Sequence, residues 1–250
     1  MNNTKSFQIK IADRIIKINS MHDYIKNYCK DYIIDNKLSY DFEITTTQTA
    51  IDYEREKSRK QCEAENIDVS IYSDSYLETL SIYRQIAENM LEYNTILFHG
   101  SVISVDGIGY LFTAKSGTGK STHTRLWREH FGNRAIMVND DKPLISVNSN
   151  TVTVHGTPWD GKHRLSNNIS VPLKAICLLT QDTYNHIEPI EITKIYPILL
   201  QQSYRPKETQ QFIKHLDIID EIINHCKFYS LGCNMEKDAP VVAYNGMNNL

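Results

Sequence analysis

Ala114-Lys115-Ser116-Gly117-Thr118-Gly119-Lys120-Ser121-Thr122 is the stretch that decides how this chain is read. It fits the relaxed phosphate-loop pattern, with Ala114 where the strict form has glycine. Small residues let successive backbone N–H groups turn inward and enclose an anion. Gly117 and Gly119 supply the torsions and the close approach that such a cradle needs. Upstream, 108–113 reads as a strand; downstream, 124–130 falls in helical register. A helix beginning near Lys120 therefore adds its positive end to the same place. Lys120 can neutralise charge between the outer phosphates of a nucleotide, and the Ser121 hydroxyl can ligate Mg²⁺. The bland alternative is a tight glycine turn with no ligand, which leaves Lys and Ser at those two offsets unexplained.

Outward from the loop, the pattern is strand, turn, strand. The run Ile96-Leu97-Phe98-His99-Gly100-Ser101-Val102-Ile103-Ser104-Val105 reads as one strand that turns through Asp106-Gly107, a favoured two-residue hairpin. Residues 135–138 form the next buried strand and end in Asn139-Asp140-Asp141, twenty positions beyond Lys120. A strand leaving the core there puts both carboxylates at the carboxyl edge, where open α/β sheets bind ligands. One carboxylate could hold Mg²⁺ and the other accept a proton from an attacking hydroxyl; in isolation the pair reads as a solvated turn, and the phosphate loop beside it favours the chemical reading. His99 is placed mid-strand, where a hydrogen-bonded core histidine is the competing reading. A hairpin through Asn148-Ser149-Asn150, a buried strand at 173–179 and a helix from about Lys207 to His225 follow. That helix carries Phe212, Leu216, Ile219 and Ile222-Ile223 on one side, and Trp127 reads as core.

The first half is mixed α and β. Two β-rich stretches, broken near Asp13, precede a strand at 40–44, and 54–65 is a charged surface helix or loop. Leu77, Leu80, Ile82, Ile86, Met90 and Leu91 recur at helical spacing after the cap residues Ser73-Asp74-Ser75. These features divide the chain into a small α+β unit at 1–94 and an α/β unit at 95–250. With 250 residues and 41% hydrophobic content, the chain can build a core. Lys and Arg total 27 against 30 Asp and Glu, so the net charge of −3 argues against a nucleic-acid partner. No apolar run approaches the roughly 20 residues of a membrane span, and Met1–Phe7 holds no apolar signal core. A cytoplasmic protein with no membrane partner is the expectation. Five scattered cysteines without a C-x-x-C pair suit buried thiols rather than disulfides or zinc.

His99-Gly100, the loop 116–121 and Asp140-Asp141 resemble, in order and spacing, the catalytic domain of the HPr kinase/phosphorylase family, which shares its core with ATP-dependent phosphoenolpyruvate carboxykinase. SGTGKSTHTRLW (116–127), NDDKP (139–143) and GTPWDGK (156–162) look like the HPr-kinase-related proteins of low-GC bacteria. The resemblance runs from about Thr95 to Asn234; the first ninety residues do not look like the N-terminal domain of the bifunctional HPr enzymes. It implies an HPr kinase-like P-loop fold, ATP and Mg²⁺ as cofactors, and phosphate contacts from Ser116, Gly117, Thr118, Gly119, Lys120, Ser121 and Thr122. It further implies Ser121 and Asp141 at the metal, Asp140 as the base, and His99 as an electrostatic partner of Asp140. Where the family carries Glu-x-Arg-Gly, this chain reads Thr153-Val154-His155-Gly156, a departure that leaves the phosphorylase reaction and specificity for HPr open.

The loop Thr157-Pro158-Trp159-Asp160-Gly161-Lys162-His163-Arg164 either lies against substrate, with Lys162 on phosphate, or is a turn with Trp159 packed inward. Arg205, before Pro206, either contacts the transferring phosphoryl group or is a surface residue preceding a helix. The expected activity is transfer of the ATP γ-phosphoryl group to a serine-type hydroxyl of a peptide, protein or small metabolite, with unit 1–94 recognising the acceptor. The alternative is a nucleotide-binding regulatory protein without phosphotransfer, and homo-oligomer formation stays open.

Overall fold

The computed structural model describes residues 5–35, 38–64, 66, 68, 71–161 and 163–249. The chain divides into two compact units, Met1–Asn89 and Met90–Leu250.

The first unit is a four-stranded sheet with three helices. Strands β1 (Lys5–Ile11) and β2 (Arg14–Ser20) form a hairpin whose turn, Ala12-Asp13, has positive φ at both residues (49° and 59°). Helix α1 (Asp23–Tyr28) follows, then the edge strands β3 (Ile33–Ile34) and β4 (Phe42–Thr45), in the order β3-β1-β2-β4. Phe7, Ile9, Ile11, Ile16 and Ile18 alternate into the core, the period-two pattern of a sheet with one covered face. Helices α2 (Gln48–Ala64) and α3 (Asp74–Met90) complete the unit. Of the charged stretch, residues 54–64 are thus the greater part of a regular helix. Its buried positions are Ile51, Glu54 and Cys62, and Arg84 Nε of α3 donates to Glu54 Oε1 (2.7 Å).

The second unit is a mixed, curled sheet covered on both faces. Its strands are β5 (Thr95–Leu97), β6 (Ser101–Val105), β7 (Ile108–Thr113), β8 (Ala135–Asn139), β9 (Leu144–Asn148), β10 (Thr151–His155), β11 (Ser170–Gln181), β12 (His186–Pro189) and β13 (Lys227–Cys233). The order runs β5-β9-β10-β11-β7-β6-β8, with β13 beside β11 and β12 beside β13. The long strand β11 starts antiparallel to β10 and then runs parallel to both β7 and β13. Helices α4 (Lys120–Phe131) and α7 (Ala239–Asn249) cover one face, and α5 (Ile192–Gln202) and α6 (Thr209–His225) the other. Alternation in the strands divides the core accordingly. Tyr110, Phe112, Ala175 and Cys177 meet Trp127, Ala243 and Met247, whereas Leu111 and Ile176 join Leu199, Ile219 and Ile222. On α6 the buried stripe is His215, Ile218, Ile219 and Ile222, with Phe212 and Leu216 only half-buried.

One expectation is corrected here. Residues 96–105 are not one strand: the chain breaks after Leu97 and resumes at Ser101. The cause is tertiary. Phe98 bridges to Ser203, His99 N–H donates to Gln202 O (2.7 Å), and Gly100 N–H donates to Asp141 O (3.0 Å). His99 therefore sits in the break, at the edge where β7, β11 and β13 all end.

Candidate functional site

The carboxyl ends of the parallel strands β7 and β11 and of β8 converge, and the glycine loop leaves β7 there. Gly117 (φ +81°) and Gly119 (φ +117°) take the left-handed torsions that side chains resist, and a Cβ on either would meet nothing within 4 Å. Gly119 is the N-cap of α4 and contributes no capping side chain, so the first-turn N–H groups of α4 are left for another acceptor. Thr118 turns away: its hydroxyl donates to Lys115 O (2.9 Å), and Gln181 Nε2 ties the loop to β11 through Thr118 O (3.1 Å). Lys120 is buried beneath the loop, its Nζ donating to Ala114 O (3.0 Å). Desolvation pulls its pKa below the ordinary lysine value; Lys142 adds to that, while Asp141 and Asp140 oppose it.

The two carboxylates at the end of β8 have different surroundings. Asp140 is buried, and the Ser101 hydroxyl donates to its Oδ1 (2.7 Å) while also lying 3.0 Å from its carbonyl. Oδ2 has no hydrogen-bond partner among the described residues. It lies against Gly161, where a Cβ would come within 2.7 Å of it, so only glycine leaves that oxygen in place. Asn139 fixes the turn: its Oδ1 accepts from the N–H groups of Asp141 (2.9 Å) and Lys142 (2.6 Å), and its Nδ2 donates to Thr157 O (3.1 Å). Asp141 is more open, with His99 Nε2 at 3.3 Å and Lys142 Nζ at 3.6 Å.

The carboxylate that faces His99 is thus Asp141, rather than Asp140 as the resemblance implied. Burial pulls the His99 pKa to about 4, aided by the charges of Lys142 and Lys120 and opposed by Asp141, so the imidazole is neutral at pH 7.

His99, Ser116, Gly117, Gly119, Lys120, Ser121, Thr122, Asp140 and Asp141 line a single cavity of about 480 Å³ together with Gly161 and His163. Thr118 and Arg205 do not line it. Arg205 is exposed beyond α5, near enough to His215 for its charge to depress that ring's pKa. Lys162 lies outside the described residues. In the loop at 157–164 Trp159 packs inward, while Gly161 and His163 line the cavity. His155, at the position of the missing Glu-x-Arg-Gly motif, is buried between the Ser146 (2.8 Å) and Ser170 (2.7 Å) hydroxyls and takes no part. Ser101, Asn139 and Gly161 were not singled out from the sequence. Ser101 opens the fully buried strand β6, which also carries Ser104, so the sequence alone does not set it apart.

The donor set fits a triphosphate with Mg²⁺. An uncapped helix start and a buried ammonium suit phosphate oxygens, and Ser121 with Asp141 offers one hydroxyl and one carboxylate in the same cavity. Among the described residues no three His, Cys, Asp or Glu side chains group to hold a metal. Mg²⁺ requires no such cage, since it is held through one or two carboxylates and substrate phosphates.

The family described as SynChlorMet cassette protein ScmC matches residues 62–246. The chain belongs to the ScmC family. That match spans the whole glycine loop, the carboxylate pair and the elements that position them. No curated protein matches this chain. Among solved structures, the Hpr(Ser) kinase/phosphatase from Coxiella burnetii is similar over 60% of this chain and 94% of that one, at 13% identity and a TM-score of 0.33. At that level the likeness decides neither fold nor function. Among the described residues, no helix is long and apolar enough to cross a membrane.

Proposed function

We propose that this ScmC-family chain is a Mg²⁺-dependent kinase of the HPr-kinase-related type that transfers the terminal phosphoryl group of ATP to a serine-type hydroxyl of a peptide, protein or small metabolite. The observation that carries this reading is the Oδ2 of the buried Asp140, without a hydrogen-bond partner among the described residues and in the same cavity as the glycine loop and Lys120. The N–H groups of Gly117 and of 119–122 and the Lys120 ammonium hold the phosphate chain and neutralise charge on it. Ser121 and Asp141 would hold Mg²⁺, which would supply further charge neutralisation. Neutral His99 and Lys142 fix Asp141. The acceptor oxygen forms a bond to the terminal phosphorus as the bond from that phosphorus to the nucleoside diphosphate breaks. The acceptor's proton passes to Asp140 Oδ2, while Ser101 holds Oδ1 still.

The test is label transfer from γ-labelled ATP to candidate alcohols and peptides, with Asp140→Asn beside the parent. Transfer that stops in Asp140→Asn while ATP still binds supports the kinase. ATP binding with no transfer to any acceptor, unchanged in the variant, supports a regulatory nucleotide-binding protein instead.

A further inference from the structure

Helices α5 and α6 are joined by residues 203–208, and the start of that connector lies along the break between β5 and β6. Phe98 bridges to Ser203, Tyr204 N–H donates to Leu97 O (2.9 Å), and His99 N–H donates to Gln202 O (2.7 Å). Where the connector stands therefore sets where 97–99 stand. From the break the chain runs directly into the site. His99 Nε2 lies 3.3 Å from Asp141 Oδ1, and Gly100 N–H donates to Asp141 O (3.0 Å).

The connector is itself held from behind. Ser203 N–H donates to Leu199 O (3.0 Å), and its hydroxyl donates to Leu200 O (3.4 Å). With that proton committed, Ser203 Oγ accepts from His215 Nε2, 2.8 Å away on the second turn of α6. His215 is fully buried in the apolar stripe of Ile218, Ile219 and Ile222, and neither it nor Ser203 lines the catalytic cavity. Leucine would fill that position without taking a polar ring out of water. The imidazole instead leaves a buried Nδ1 with no partner among the described residues. Burial, and then the Arg205 charge, pull its pKa to about 4, so the ring is neutral at pH 7. A polar group buried on those terms has its reason in the one bond it makes.

We propose that His215 is a positioning residue: through Ser203 it fixes the connector, and through the connector it holds His99 and Asp141 in the geometry that phosphoryl transfer uses. The catalytic consequence rests on the kinase reading above; the mechanical link from α6 to the break does not.

Amide hydrogen exchange of the full chain, resolved by residue, reads the link with no ligand present. In His215→Leu, exchange at His99, Gly100 and Tyr204 is expected to speed up by roughly threefold to tenfold, the equivalent of one neutral hydrogen bond, while amides of β7 and β11 keep parent rates. His215→Gln, which retains an N–H donor at the same reach, is expected to restore parent exchange. In label transfer from γ-labelled ATP, His215→Leu is expected to lower kcat by a similar factor with the KM for ATP unchanged, and His215→Gln to recover it. If His215→Leu does not fold, Ser203→Ala removes the same bond from the connector side and carries the test with the same expectation. Parent exchange at 99–100 in a folded variant, or a rise shared equally by β7 and β11, overturns the positioning role and leaves His215 a core residue. Loosening confined to the break with kcat unchanged overturns it as well. The same loosening in a chain whose parent transfers no phosphoryl group overturns the kinase reading and leaves the link standing.

Discussion

Glu78 in the first unit and Asp140 in the second are both carboxylates taken out of water, 0% and 6% exposed. Their surroundings separate them. Glu78 is saturated: Oε1 accepts from Met21 N–H (2.6 Å) and the Thr46 hydroxyl, and Oε2 accepts from His22 N–H (3.0 Å) and faces His22 Nδ1 at 2.7 Å. Asp140, which lines a cavity, has one oxygen held by Ser101 and the other without a hydrogen-bond partner among the described residues. A buried carboxylate with every lone pair engaged joins pieces of a fold, here β2, β4 and α3. One engaged on a single side is oriented and still able to accept a proton.

Four results sharpen or break that contrast. The largest effect belongs to Asp140→Asn, which is expected to lower phosphoryl transfer by about 10²–10⁴-fold, the range of general-base catalysis. ATP affinity, read by titration, should stay near the parent value. Next is Glu78→Ala, which strands two backbone N–H groups and a hydroxyl. Denaturant unfolding should show a loss of about 3 kcal/mol, with nucleotide binding per folded molecule unaltered; a stable variant would mean that Glu78 does not join those elements. Ser101→Ala is smaller. Removing a hydrogen bond to a charged group costs about 1.5–3 kcal/mol, so kcat should fall at least about tenfold with the KM for ATP unchanged. A rise in KM at constant kcat would assign Ser101 to binding instead.

The smallest effect concerns pH. Burial holds His123 at about 3, and burial together with the Arg205 charge holds His215 at about 4. An unfolded histidine takes up its proton near 6.5. Below that pH the unfolded chain binds more protons than the folded one, so this stability is full above pH 6.5 and is lost as pH falls toward 4 and then 3. The melting temperature should drop across that window, by roughly 2–4 °C for each kcal/mol lost, and His215→Gln should flatten the slope.

What could be read in advance was local. The glycine loop, the hairpin at Asp106-Gly107 and the strand ending in Asp140-Asp141 each follow from a few adjacent residues, and all three stand where the pattern placed them. Features set by distant contacts were not legible. The break at His99 depends on Gln202, Ser203 and Asp141, none of which is near it in sequence. Helix α2 hides its buried side because a glutamate paired with Arg84 stands in the stripe. Helix α5 carries Pro197 in its interior, a residue that usually argues against a helix. In the site, Ser101 and Gly161 gain meaning only from lying on either side of the Asp140 carboxylate.

The most direct test of the account is a structure of this chain with Mg²⁺ and a non-hydrolysable ATP analogue. The account predicts the phosphate chain over 117–122, the terminal phosphorus facing Asp140 Oδ2 beside Lys120 Nζ, and the ion on Ser121 and Asp141. A triphosphate bound away from the loop, or a terminal phosphorus with Asp140 turned from it, would contradict the account.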